Sequence, residues 1–166
     1  MFKSSYFGED CVNVAGPLVK HGADVNTRDK DHETPLHLAS CNQKFELVRF
    51  LLDHCANVHA KNSGGQTPFQ EMFKLESDSE PWNNKGLVDG AQLFVEHGAD
   101  VNIRDKEHGT PLHLASYILN LKLIRVLLDH GAKVNAEDNC GRTPLHRVLE
   151  TRIIALTNIP SLPYNN

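Results

Sequence analysis

Ten histidines stand among 166 residues, with four cysteines (Cys11, Cys41, Cys55 and Cys140) and 21 acidic side chains. Those residue types could hold a metal, relay protons or, with a thiolate beside an imidazole, attack a carbonyl. Each of these chemistries needs side chains that converge. The histidines instead fall into recurring classes. His37, His113 and His146 each follow Thr-Pro-Leu, and His21, His54, His97 and His130 each open a phrase of the type HGADVN. His32 and His108 stand two residues before a Thr-Pro pair, and His59 ends HCANVH, where the other copies end in Asn. A periodic array spaces equivalent residues along an axis, so the histidines are not expected to converge, and those that precede a helix-ending residue stand where a cation suits a helix C-terminus. Asp24, Asp29, Asp100, Asp105 and Asp138 fall in turns and links, where short carboxylates satisfy backbone N–H groups. A free thiol at a turn tip, such as Cys140, has the exposure for reaction, yet nothing in the sequence requires a base beside it. The cysteines form no CxxC pair, and no phosphate-cradling loop, GxSxG or HExxH occurs. The expectation is a chain without catalysis, metal or cofactor. The alternative is a small-molecule or metal-dependent activity grafted onto the repeat, which tightly bound stoichiometric metal would reveal.

The elements that position these residues follow one rhythm. Thr-Pro pairs begin at Thr34, Thr67, Thr110 and Thr143, separated by 33, 43 and 33 residues. The phrases HGADVN, HCANVH, HGADVN and HGAKVN keep the same intervals from His21 to His130. The unit is therefore about 33 residues, with ten extra in one copy. His21–His54 and His97–His130 match at 23 of 34 positions, which points to duplication of a two-unit block. Thr-Pro predicts a helix start, because the hydroxyl caps free N–H groups and proline needs no donor at the first helical position. FELVRFLLDH and LKLIRVLLDH have helical apolar spacing, and Gly22, Gly98 and Gly131 stop that second helix in the left-handed conformation. Cys55 takes the same slot and is expected to hold a strained positive φ. Stretches such as NAEDNCGRT read as tight, hairpin-like turns. Neither short helix can bury its apolar face alone, whereas stacked copies can.

These phrases resemble the ankyrin repeat, whose signature joins T-P-L-H helix starts to G-A-D-V-N helix ends at this period. The resemblance spans roughly Val12–Leu149 and implies an all-α dominated solenoid of helix pairs joined by protruding β-turns. It gives one domain over 1–166: a partial first repeat at 11–26, repeats at 28–60, 61–103 and 104–136, and a partial terminal repeat and tail at 137–166. The second full repeat carries the insertion, at about 76–86. Gly16 and Pro17 are expected to interrupt the first helix. His32 and His108 replace the family's turn glycine, kept as Gly65 and Gly141. Both ends read as cut or degenerate repeats, as in a piece of a longer array.

The family implies a function carried by surface: a protein partner held on turn tips and on the concave first-helix face. By position those contacts are Arg28, Lys30, Asp31 and Glu33, then Lys61 and Lys74, then Arg104, Lys106, Glu107, Tyr117 and Ile118, and finally Arg142. Trp82 in the insertion joins them as an anchor, or else packs back onto Tyr117–Leu119, which is the expected arrangement. A net charge of −4 gives no basic footprint for nucleic acid or anionic lipid. The start MFKSSYFGED has no apolar run suited to a signal peptide, and no stretch approaches membrane-spanning length. A cytoplasmic or nuclear protein is expected.

Overall fold

In the structure, a computed structural model, residues 6–73 and 85–149 are described. Seven helices have defined bounds: α1 (Tyr6–Lys20), α2 (Pro35–Cys41), α3 (Phe45–Asp53), α4 (Pro68–Glu71), α5 (Lys85–Glu96), α6 (Pro111–Tyr117) and α7 (Leu121–Asp129). Residues 144–149 form a further helix, α8. No strand occurs among the described residues, and the fold is the all-α repeat that the period predicts. The chain divides into two compact units, one ending at Asp100 and the other beginning at Val101.

In the first unit α2 packs on α3 and α4, α1 on α3, and α3 on α5. Its core is Leu36, Val48, Phe69, Met72, Leu87 and Phe94, all essentially inaccessible. The rings of Phe69 and Phe94 lie 5.4 Å apart, joining α4 to α5. Gly86 and Gly90, one turn apart on α5, leave a notch filled by the Phe45 ring. A Cβ at Gly90 would meet that ring and the Met72 sulfur at 2.8 Å. In the second unit α6 packs on α7 around Leu112, Ala115, Leu123 and Leu127.

Every second helix ends alike. The bonds Ala23 N–H to Leu18 O, Ala56 N–H to Leu51 O, Ala99 N–H to Phe94 O and Ala132 N–H to Leu127 O close four equivalent Schellman-type turns. The residue at the bend is left-handed in all four: Gly22 (φ 93°), Gly98 (86°), Gly131 (86°) and Cys55 (64°). Cys55 thus carries the positive φ expected of it. Cys55→Gly should raise stability by about 1 kcal/mol, since the replaced Cβ crowds its own backbone there. A denaturation midpoint that stays or falls would show that Cys55 is unstrained. His32 (57°) and His108 (59°), in the turn-glycine slot, are left-handed too, as are Gln43 (51°) and Leu119 (54°) before α3 and α7.

One expectation is corrected. α1 runs unbroken through Gly16 and Pro17. Proline removes the N–H that would serve the carbonyl of Asn13, but Asn13 is exposed, so water can serve it. Most of the insertion, including Trp82, lies outside the described residues, as do Lys74 and the packing of Trp82 on Tyr117–Leu119. Only its last two residues, Lys85 and Gly86, are seen, opening α5.

Candidate interaction surface

Seven of the ten histidines that suggested chemistry are committed to backbone. His37 is fully buried. Its Nδ1 accepts from the Thr34 N–H (3.1 Å) and pairs with the Thr34 hydroxyl (2.8 Å), while Nε2 donates to the Gln66 carbonyl (3.1 Å). That pattern assigns the neutral tautomer with its proton on Nε2. His113 repeats it, with Thr110 at 3.0 Å and the Arg142 carbonyl at 3.0 Å. His146 caps Thr143 in the same way at 3.1 Å. In the copy without histidine, Gln70 Oε1 accepts from the Thr67 N–H at 3.0 Å. His21, His54, His97 and His130 each place Nδ1 2.7–2.8 Å from the carbonyl four residues back.

Burial holds the His37 pKa below 6.5, against the pull of the Gln66 carbonyl and the Glu33 and Glu71 carboxylates. The stability this contributes is complete above pH 6.5 and is lost as the pH falls toward the lowered value, because the unfolded imidazole takes up its proton first. His37→Gln, which copies the Gln70 cap, should flatten that part of the acid-side decline. Identical slopes of denaturation midpoint against pH for both proteins would contradict this account.

The turn acids do as the sequence predicts. Asp29 Oδ1 accepts from the N–H groups of Asp31 and Glu33, and Asp105 Oδ1 from those of Glu107 and Gly109. Asp138 accepts from the N–H groups of Cys140 and Arg142, and its other oxygen binds Arg142 Nε (3.0 Å) and Arg147 Nη2 (2.9 Å). Burial alone would raise the pKa of Asp138, but those two N–H groups and the Arg142 guanidinium bring it down to about 2. In the remaining copy the slot is Asn62, whose Oδ1 accepts from Gly64 and Gln66. Its Nδ2 donates to Glu71 (3.0 Å) and more weakly to Glu33 (3.4 Å).

The expected contact residues divide by what they already hold. Arg28 Nη1 donates to the Lys61 carbonyl (2.9 Å), and Arg104 Nη1 to the Glu137 carbonyl (2.8 Å), each stitching one turn to the next. Arg142 is pinned to Asp138. Ile118 is 4% exposed and offers a partner no surface, because this apolar side chain is taken into the interior, unlike its neighbours. Glu33 is half-buried beside Asn62. Lys30, Asp31 and Lys61 are exposed on the turns of the first unit, and Lys106 and Glu107 on those of the second. Tyr117 is partly exposed, with Leu119 and Leu121 more so beyond it, and sequence reasoning had not singled out Leu121. The turn backbones are tied by Ser63 N–H to Asp31 O (2.8 Å) and Asn139 N–H to Glu107 O (2.9 Å). Asn26 and Asn102, also missed, grip the next copy with both side-chain atoms. Their only advance signal was recurrence at the end of HGADVN.

Among the described residues no three His, Cys, Asp or Glu side chains gather as metal ligands, and no helix is long and apolar enough to cross a membrane. Comparison with known proteins returned two family models, both described as ankyrin repeats, matching residues 82–156 and 18–71. NF-kappa-B inhibitor zeta of Bos taurus is 31% identical over 139 residues, covering 69% of this chain and 19% of that protein. Probable 26S proteasome regulatory subunit p28 of Saccharomyces cerevisiae is 32% identical over 128 residues, covering 60% of this chain and 56% of that one. NF-kappa-B inhibitor cactus of Drosophila melanogaster is 31% identical over 137 residues, with 68% and 27% covered. The chain thus spans between about a fifth and just over half of the length of these relatives.

Proposed function

The chain belongs to the ankyrin-repeat family, and from that premise we propose that it is a non-catalytic module that binds a protein partner through its turn tips and first-helix surfaces. One observation carries the reading: seven of the ten imidazoles and the turn carboxylates Asp29, Asp105 and Asp138 are engaged by neighbouring backbone, while a mixed set of charges stands exposed on the turns. The relatives support it, since their names state an inhibitor and a regulatory subunit of other proteins. The contacts proposed are Lys30, Asp31 and Lys61 on one unit and Lys106, Glu107 and Tyr117 on the other. Tyr117 is of a residue type enriched among interface anchors. Arg28, Arg104 and Arg142 act as braces that hold the turns in register. The relatives' names, inhibitors of NF-kappa-B and a proteasome regulatory subunit, favour a cytoplasmic or nuclear setting.

Charge reversal tests the surface. Lys30→Glu with Lys106→Glu should weaken affinity capture of the partner by roughly tenfold, the scale of one or two contact charges. Lys122→Glu with Arg125→Glu, exposed on α7, should change it little. A larger loss from the α7 pair would move the binding face to the second helices.

A further inference from the structure

The loops that end the second helices are linked in pairs. Asn26 closes the first HGADVN phrase and holds the next loop by both atoms of its head. Its Nδ2 donates to the Cys55 carbonyl (3.2 Å), and its Oδ1 accepts from the Asn57 N–H (2.7 Å). Asn102 does the same in the second HGADVN phrase, with the Gly131 carbonyl (3.1 Å) and the Lys133 N–H (2.8 Å). Between them the slot holds His59, which is exposed where Asn26 and Asn102 are half-buried.

That replacement changes what the slot can do. A carboxamide carries its acceptor and its donor on one planar head, so a single side chain serves a carbonyl and an N–H two residues apart. An imidazole has no oxygen, and its two nitrogens point in divergent directions. In the loop that follows, Gly98 and Asp100 stand in the slots of Cys55 and Asn57. Asparagine fits that pair of backbone groups and histidine does not.

The other links repeat with the same two-copy period. Arg28 braces the Lys61 carbonyl and Arg104 the Glu137 carbonyl, and the slot between them holds Lys61. Ser63 N–H binds Asp31 O, and Asn139 N–H binds Glu107 O. The connections 21–34 and 54–67 thus share one full set of links, and 97–110 and 130–143 share another. The division between the two compact units falls at Asp100, in the loop that the His59 slot would have to reach.

We propose that His59 marks the end of a cooperative block, so that the chain opens as two separately unfolding blocks of linked copies rather than as one. In a linear array stability is the sum of the copies and their nearest-neighbour links, and the weakest link decides where an opening stops. One block can then loosen while the other keeps its fold.

Amide hydrogen exchange of the intact chain, followed residue by residue over a low denaturant series, tests this. The N–H groups of Ala56 and Ala132, each bonded at the end of a second helix, report on the first and second blocks. In the unaltered chain the two should open separately, with protection differing by roughly tenfold or more and denaturant slopes below that of global unfolding. His59→Asn should raise the less protected block by roughly tenfold, the scale of two added hydrogen bonds, and bring the two together. Asn26→His should do the reverse within the first block, separating the Ala23 N–H from that of Ala56. Both sites lie on loops, and helical content by circular dichroism serves as the folding control. One shared opening for both blocks in the unaltered chain would overturn the proposal. So would a His59→Asn variant whose blocks stay as far apart, or an Asn26→His variant in which Ala23 and Ala56 still open together.

Discussion

Phe69→Ala should cost the fold about 4 kcal/mol, the usual range for a buried aromatic ring. Leu145→Ala, at the same slot of the last copy, should change monomer stability by less than about 0.5 kcal/mol. Phe69 is 1% exposed and contacts both Phe73 and Phe94, whose centroids lie 5.1 and 5.4 Å away. Removing it leaves a cavity between α4 and α5 that the Gly90–Phe45 contact cannot collapse into, since that contact is already closed. Leu145 has no such surroundings to lose. Denaturant midpoints measured at low protein concentration, with m-values unchanged, separate the two. A small effect at Phe69 would mean that the core of the first unit lies elsewhere.

The second large effect concerns a pair that varies within the chain itself. The turn residue and the residue nine positions later read Asp29 and Leu38, Asn62 and Glu71, Asp105 and Leu114, and Asp138 and Arg147. Where the later residue is acidic the turn residue is an amide, and where it is basic the turn residue is a carboxylate. The contacts give the reason: Asn62 Nδ2 reaches the buried Glu71 carboxylate, and Arg147 reaches Asp138. Asn62→Asp keeps the acceptor for Gly64 and Gln66 but sets two carboxylates face to face near the interior. It should destabilise by about 3 kcal/mol, the scale of an uncompensated buried charge. Adding Glu71→Leu recreates the Asp29–Leu38 pairing and should recover most of the loss. If the double variant is as unstable as the single one, the facing carboxylates are not the cause.

Much of this architecture was legible in advance because it is local. Thr-Pro marks a helix start and His-Gly-Ala a helix end wherever they fall, and the left-handed slot at Cys55 followed from three glycines in register. What the residues reach across the period was not legible. Arg28 and Arg104 read as contact charges, since nothing in a single turn shows that the next turn's carbonyl lies 2.9 or 2.8 Å away. Ile118 was misplaced for a related reason. Its backbone (φ −81°, ψ 3°) matches that of Asn42 in the sister copy (φ −84°, ψ 5°), yet Ile118 is buried and Asn42 exposed, so the side chain and its surroundings decide, not the local turn. Gly16 and Pro17 read as breakers because composition does not say whether the freed carbonyl meets water.

The claim that the turns meet the partner while the histidines and acids hold the frame is tested most directly by amide hydrogen exchange, with and without the captured partner. The account predicts slowed exchange at residues 28–33, 61–66, 104–109 and 137–142, and little change along α3 and α7. Protection confined to α3 and α7, with the turns unaltered, would contradict it.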